Sequence, residues 1–162
     1  MLKPTLGYSG GNLAAVLSLK AALASPPIPL LAQLLILPVI DNTATSTSAI
    51  WTHNRLAPWL TPGRMLWYRQ KYLPESKDCL EWTASPNLAP REILQRSPKS
   101  WIAVAEFDLL APEGIAYGQQ LTDAGVAVDT KTYKGSTHSL LALSGECKVL
   151  LAFTMLPTAN SC

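Results

Sequence analysis

Three residues have the types that covalent catalysis by a serine requires: Ser9, Asp108 and His138. Ser9 lies in Gly7-Tyr8-Ser9-Gly10-Gly11, a fit to G-x-S-x-G. A serine hydroxyl attacks well when it stands clear of the backbone on a tight, strained turn between a strand and a helix. Only small flanking residues fit that turn. The N–H of Gly10, immediately after the serine, is placed to donate to a developing oxyanion, and the dipole of the helix that follows favours charge at the same spot. The pentapeptide also reads as a glycine-rich turn that opens a helix. The strand expected ahead of it, over residues 1–5, is short and contains Pro4.

Asp108 closes Glu106-Phe107-Asp108, just after an apolar strand run that ends at Ala105. Open α/β sheets place their site residues at the C-terminal ends of parallel strands. The same acid also suits the first turn of the next helix, where backbone N–H groups satisfy it. His138 ends a Gly-Ser-Thr-His loop after the following strand, a position that equally suits a surface residue. The other histidine, His53, lies in a Thr/Ser/Asn-rich stretch and is expected on the surface. The chain order serine, acid, histidine differs from that of the chymotrypsin and subtilisin groups, and acid and histidine flank one strand–helix–strand crossover.

The elements that must position these groups are legible in outline. Residues 12–24 are rich in Ala and Leu and stop before Ser25-Pro26-Pro27, so a largely buried helix is expected. Leu34-Leu35-Ile36-Leu37 and Trp101-Ile102-Ala103-Val104-Ala105 are continuous apolar runs, as in strands covered on both faces. Residues 41–48 read as loop, 61–72 as a helix opened by Pro62, and 78–98 as irregular apart from a short turn at 90–94. Pro112 suits a first helical turn and Gly125 the position just past a helix end. Val126, Val128, Thr130 and Thr132 alternate with Ala127, Asp129, Lys131 and Tyr133 at the period of a strand. Residues 146–153 read as a closing helix. A helix-length connection between strands implies parallel pairing with a right-handed crossover, and the class is α/β.

Composition bounds the rest. A chain of 162 residues builds one domain, and at this size roughly 68–70% of the unfolded surface is buried. With 48% apolar and 15% charged residues it is not a disordered tail. A net charge of +2, without any Lys/Arg cluster, argues against a nucleic-acid partner. The longest apolar run, 28–40, is broken by Pro29, Gln33 and Pro38, so no membrane span is expected. Cys79, Cys147 and Cys162 are an odd number without metal-binding spacing, which fits a reducing, cytoplasmic setting. The N-terminus has some features of a signal peptide, but Lys20 interrupts its apolar run and glycines precede it.

The sequence resembles the hormone-sensitive-lipase-like (α/β-hydrolase fold-3) esterases. Gly7-Tyr8-Ser9-Gly10-Gly11-Asn12-Leu13-Ala14 resembles that family's G-D-S-A-G-G-N-L-A segment, departing at Tyr8 and Gly10. Leu37-Pro38-Val39-Ile40-Asp41 resembles its strand followed by P-x-x-D, and residues 82–90 its S-P-x-x-A-P segment. The stretch 104–114, then Tyr117, Leu121, 124–126 and 133–138, is similar to its acid–helix–histidine module, with Leu109 where the family has proline. The resemblance implies hydrolysis of a small carboxylic ester, with Ser9 as nucleophile, His138 as base, Asp108 orienting the imidazole, Gly10 as an oxyanion donor, and no metal or organic cofactor. Some relatives are tailoring esterases of natural-product pathways.

That family supplies the rest of its oxyanion hole from an H-G-G-G-type loop upstream of the serine, and no His-Gly-Gly occurs in this chain. The expectation is therefore a single partial domain over 1–162, a truncated half-sheet of mostly parallel strands flanked by helices. Its activity would be weakened, since one lost oxyanion donor costs about 10²–10³ in turnover. An open sheet edge would leave it marginally stable or self-associating. The alternatives are a non-catalytic remnant acting as a binding module and a small secreted binding protein. The aromatic residues Trp59, Trp67, Tyr68 and Tyr72 could line an acyl or alcohol pocket, although core burial is the commoner use of such side chains.

Overall fold

The computed structural model describes residues 10–140. Its frame is a parallel three-stranded sheet in the order β1 (Ala32–Ile36), β2 (Lys99–Phe107), β3 (Val128–Thr137). β1 runs from Ala32 opposite Lys99 to Ile36 opposite Ala103, and β3 from Val128 opposite Ser100 to Tyr133 opposite Ala105. A register irregularity between Ala105 and Phe107 then shifts the pairing, so that Phe107 meets Thr137. Among the described residues β1 pairs on one side only, and the sheet is open, as the half-sheet expectation requires.

β2 is central, and the consecutive residues Ile102 to Ala105 are all buried. A strand paired on both sides and covered on both faces has no solvent side to mark with polar residues, which explains the unbroken apolar run. β1 stops at a backbone reversal in which Leu37 takes φ 47 and Pro38, lacking an N–H, ends the ladder.

Two helices share the main core with the sheet. α1 (Gly10–Leu23) contributes Ala15 and Leu19, and α4 (Ala111–Asp123) contributes Tyr117 and Leu121, against Leu35, Ile102 and Val104. α1 is less buried than its composition suggests, with Leu13 44% and Leu17 57% exposed on its outer side. α4 matches the expected boundaries. Pro112 sits in its first turn, and Gly125, at φ 90, supplies the left-handed residue that closes it. There Gly125 N–H donates to Thr122 O and Val126 N–H to Leu121 O, capping two of the last carbonyls.

The alternation read over 126–133 becomes β3, although most of its residues stay exposed. Within β3 only Tyr133 and Ser136 are buried, and Thr130 and Thr132 are exposed. β3 is an edge among the described elements, held by hydrogen bonding to β2 and by α4, where a Cβ added at Gly118 would meet Thr130 Oγ1 at 2.7 Å.

The long connection from β1 to β2 carries α2 (Pro62–Tyr72), the short α3 (Arg91–Leu94) and three 3-10 turns at Ala49–Trp51, Ser76–Leu80 and Pro86–Leu88. Its own core of Ala44, Trp51, Leu60 and Met65 packs on Leu109 and Leu110, which follow β2. This layer therefore lies over the C-terminal end of the sheet. No described helix is long and apolar enough to cross a membrane.

Candidate active site

Asp108 follows the last residue of β2, and its own chain orients it. Oδ1 accepts from Leu110 N–H at 3.1 Å, and the turn closes with Ala111 N–H donating to Asp108 O at 3.1 Å. Leu109 is fully buried in the layer with Trp51 and Leu60. The residue that departs from the family's proline thus anchors the turn by burial. The other oxygen, Asp108 Oδ2, lies 3.0 Å from Nδ1 of His138. The carboxylate is wholly buried and the imidazole is 17% exposed. Of the site residues read from sequence, these two are brought together. Gly10 is the first residue of α1. Ser9, residues 1–5 and the helix expected over 146–153 lie outside the described residues. His53 is exposed, as expected.

The Gly-Ser-Thr stretch read as a loop is instead the end of β3, which runs to Thr137 and leaves His138 in the turn after it. This strand end is tethered from β2. Glu106 Oε2 accepts from Gly135 N–H at 2.7 Å, and Lys134 Nζ pairs with Oε1 at 3.1 Å. The Gly135 N–H and then Lys134 hold the Glu106 carboxyl below its ordinary range. A buried amide completes the support: Asn54 Nδ2 donates to Glu106 O at 3.0 Å and to Asp108 O at 2.8 Å.

His138 faces a cleft of about 540 Å³, walled by Leu13 of α1, Val39, Leu110 and the inner side of α2. The aromatic residues take the place that core burial would have denied them. Trp59, Trp67, Tyr68 and Tyr72 are all about half exposed, and Trp59, Tyr68 and Tyr72 line the cleft. α2 buries only Met65, so its aromatic face has no protein layer over it among the described residues.

Three segments meet at one point beside this cleft. Asn12 Nδ2, in the first turn of α1, donates to Val39 O at 2.9 Å and to Ala84 O at 2.8 Å. Asn42 Nδ2 also donates to Ala84 O, at 2.7 Å, and Asn42 N–H donates to Ser85 Oγ at 3.0 Å. A Cβ added at Gly11 would lie 2.7 Å from Cα of Pro38, so the helix start and the Pro38 turn are in backbone contact. A hydrogen-bonded amide at residue 12 and a bare Cα at residue 11 are what let α1 dock there.

A family model described as alpha/beta hydrolase fold matches residues 7–142. The chain belongs to the α/β-hydrolase fold family, in its fold-3 esterase group. It is 43% identical over 138 residues to an AB hydrolase superfamily protein of Schizosaccharomyces pombe, covering 83% of this chain and 40% of that protein. A thermostable esterase from Pseudomonas putida superposes with a TM-score of 0.79 at 36% identity, over 89% of this chain and 45% of that one. Carboxyl esterase 2 of the mycorrhizal fungus Tuber melanosporum gives a TM-score of 0.81 at 28% identity, over 90% of this chain and 48% of that one. The chain spans 36–40% of the length of the first curated relatives. It is a partial domain relative to them, with a general resemblance to carboxylic-ester hydrolases.

Within this family domain the convergence on Ala84 O joins the three segments that carry the resemblance, namely the G-G-N-L-A start of α1, the Pro38–Asp41 turn and the Ser85-Pro86 segment. Sequence reading assigned no role to Asn12, Asn42 or Asn54, nor to Glu113. Glu113 is buried in the first turn of α4. Its Oε1 accepts from Ile40 N–H at 2.8 Å and Asp41 N–H at 3.2 Å, and its Oε2 from Trp51 Nε1 at 3.1 Å. Burial pushes its carboxyl up to about 7, outweighing the three donors that pull it down. It straps the Pro38–Asp41 turn and Trp51 to the helix that follows Asp108. Only its place in a first helical turn was visible in sequence, because its partners are more than sixty residues away.

Proposed function

We propose that the chain carries the site of a carboxylic-ester hydrolase acting on a small ester, with Ser9 as nucleophile, His138 as general base and acid, and Asp108 orienting the imidazole. The observation that carries this reading is the 3.0 Å contact between Asp108 Oδ2 and His138 Nδ1, made at the C-terminal end of a parallel sheet on the wall of an apolar cleft. A carboxylate on Nδ1 keeps the proton there, so Nε2 is the basic nitrogen.

Nε2 takes the proton of Ser9 as Oγ bonds to the ester carbonyl carbon, and the carbonyl oxygen becomes an oxyanion. Gly10 N–H, at the positive end of α1, donates to that oxyanion. Collapse breaks the bond to the alcohol oxygen, which leaves with the proton from Nε2. Water then repeats the sequence on the acyl-enzyme and releases the acid. Chemistry of this kind uses no cofactor.

Labelling by a fluorophosphonate probe tests the reading directly. Ser9→Ala and His138→Ala should abolish labelling, and Asp108→Asn should slow it by roughly 10⁴, the scale seen when a triad carboxylate is replaced by its amide. A folded chain that never labels would count against turnover. It would support the other reading, a non-catalytic hydrolase remnant that binds a small molecule or a protein.

A further inference from the structure

The cleft is apolar over most of its wall, yet among the described residues two arginines line it and no Asp or Glu does. The two are not equivalent. Arg69 donates from Nη1 to Ala44 O at 2.5 Å and stacks over Trp51 with 5.4 Å from Cζ to the ring centroid. Its Nε and Nη2 are closed off from solvent, and Asp41 and Glu113 lie close enough to offset its charge. Arg69 is a structural cation. Arg64 is exposed, and it makes no ion pair among the described residues.

The backbone holds Arg64 in place. Trp59 takes φ 73, a left-handed value that bulky L residues rarely adopt. Leu60 N–H donates to Pro58 O at 2.9 Å, which makes a γ-turn of the strained, positive-φ kind. Such strain persists only where neighbours enforce it. Here buried Leu60 anchors one side, and Arg64 Nη1 donates to Trp59 O at 2.7 Å on the other. One arm of the guanidinium is thereby tied to the turn. Nε and Nη2 are the edge of the fork that suits the two oxygens of a carboxylate.

We propose that this cleft selects esters carrying a carboxylate remote from the scissile bond, and that Arg64 is the specificity residue that reads it. The proposal rests on the reading of the cleft as an ester site. Trp59, Tyr68 and Leu60 supply a flat apolar wall for the body of such a molecule, and Arg64 supplies the one cleft charge that no described acid offsets. A neutral ester of the same shape fills the same wall but leaves Arg64 to water. Discrimination is therefore a matter of one charge-assisted contact at a half-open site.

Two pairs of esters matched in shape and differing in charge test this. The first is 4-acetoxybenzoate with 4-acetoxybenzamide, in which the alcohol part carries the charge. The second is monomethyl terephthalate with methyl 4-carbamoylbenzoate, in which the acyl part does. Calorimetric binding to the Ser9→Ala chain reads affinity without turnover, so the answer does not depend on whether the chain hydrolyses esters. In at least one pair the carboxylate should bind about fivefold to tenfold tighter, the range of a partly exposed to well-aligned charge pair. Adding Arg64→Gln should bring that ratio to about one, and Arg64→Lys should keep part of it. Equal binding within both pairs, no binding of any of the four, or a preference that survives Arg64→Gln would overturn the proposal. Labelling by the fluorophosphonate would stand or fall separately.

Discussion

Two helices around the Asp108–His138 pair, α4 and α2, are built on opposite plans. α4 starts three residues after Asp108 and is sunk into the protein. Glu113, Gly114, Tyr117, Gly118 and Leu121 are buried, its carboxylate is strapped to a turn and to Trp51, and a left-handed glycine closes its end. α2 walls the cleft, buries Met65 alone, and leaves Trp67, Tyr68 and Tyr72 about half exposed, the two tyrosines on the cleft side. The first helix is fixed by burial and hydrogen bonds, and the second offers a surface. Such a difference is expected where one wall must fix a carboxylate to within a fraction of an ångström and the other must accept ligands of varying shape.

The largest expected effect that separates the two plans is electrostatic. With the Glu113 carboxyl raised from 4.5 to about 7, the unfolded chain gives up this proton before the folded one does. Stability should therefore fall as pH rises from about 4.5 to about 7 and level off above. The contribution is on the order of 3 kcal/mol. Urea unfolding at a series of pH values measures it, and Glu113→Gln should flatten that part of the profile even though the amide loses some of the three hydrogen bonds. An unchanged slope would mean that Glu113 does not titrate in this range. No charge on α2 should produce a comparable slope.

A smaller effect comes from packing. A Cβ at Gly114 would meet Cγ1 of Val104 at 2.8 Å, in the central strand, where a β-branched side chain has little freedom to move. Overpacking of this kind costs about 1–3 kcal/mol, against the ~1 kcal/mol that alanine gains over glycine inside a helix. Gly114→Ala should thus lose about 1 kcal/mol by thermal or urea melting. The smallest effect has the opposite sign. Gly63, in the first turn of α2, has nothing within 4 Å of an added Cβ, so Gly63→Ala should gain about 0.5 kcal/mol in the same assay. If the two alanines shifted stability in the same direction, the contrast between the helices would fail.

Much of the frame was legible because it follows from local rules. The apolar runs ending at Leu37 and Ala105 are strands, since four or five consecutive apolar residues bounded by turn chemistry suit burial on two faces. Pro112 and Gly125 bracket α4 because one residue tolerates a missing N–H and the other a positive φ. The acid and histidine stood at the two ends of one crossover, and their 3.0 Å contact follows from parallel pairing of the strands they terminate.

What was illegible is equally physical. Period-two alternation over 126–133 marked a strand, but how much of it another layer covers is not a local property; most of β3 is exposed. Aromatic residues on α2 carry the same sequence signature whether they enter a core or wall a cleft. Asn12, Asn42, Asn54 and Glu113 look like ordinary polar positions because their meaning lies in carbonyls and N–H groups distant in the chain.

The sequence by itself determined the α/β class, the order of serine, acid and histidine, and the family, because backbone geometry, periodicity and short motifs are written in neighbouring residues. Only the tertiary structure decided that Asp108 reaches His138, that Glu113 is a buried strap, and that Arg64 rather than Arg69 is the cation exposed at the cleft. Those outcomes depend on which distant groups share a buried space. Desolvation there decides which partners a polar group must find.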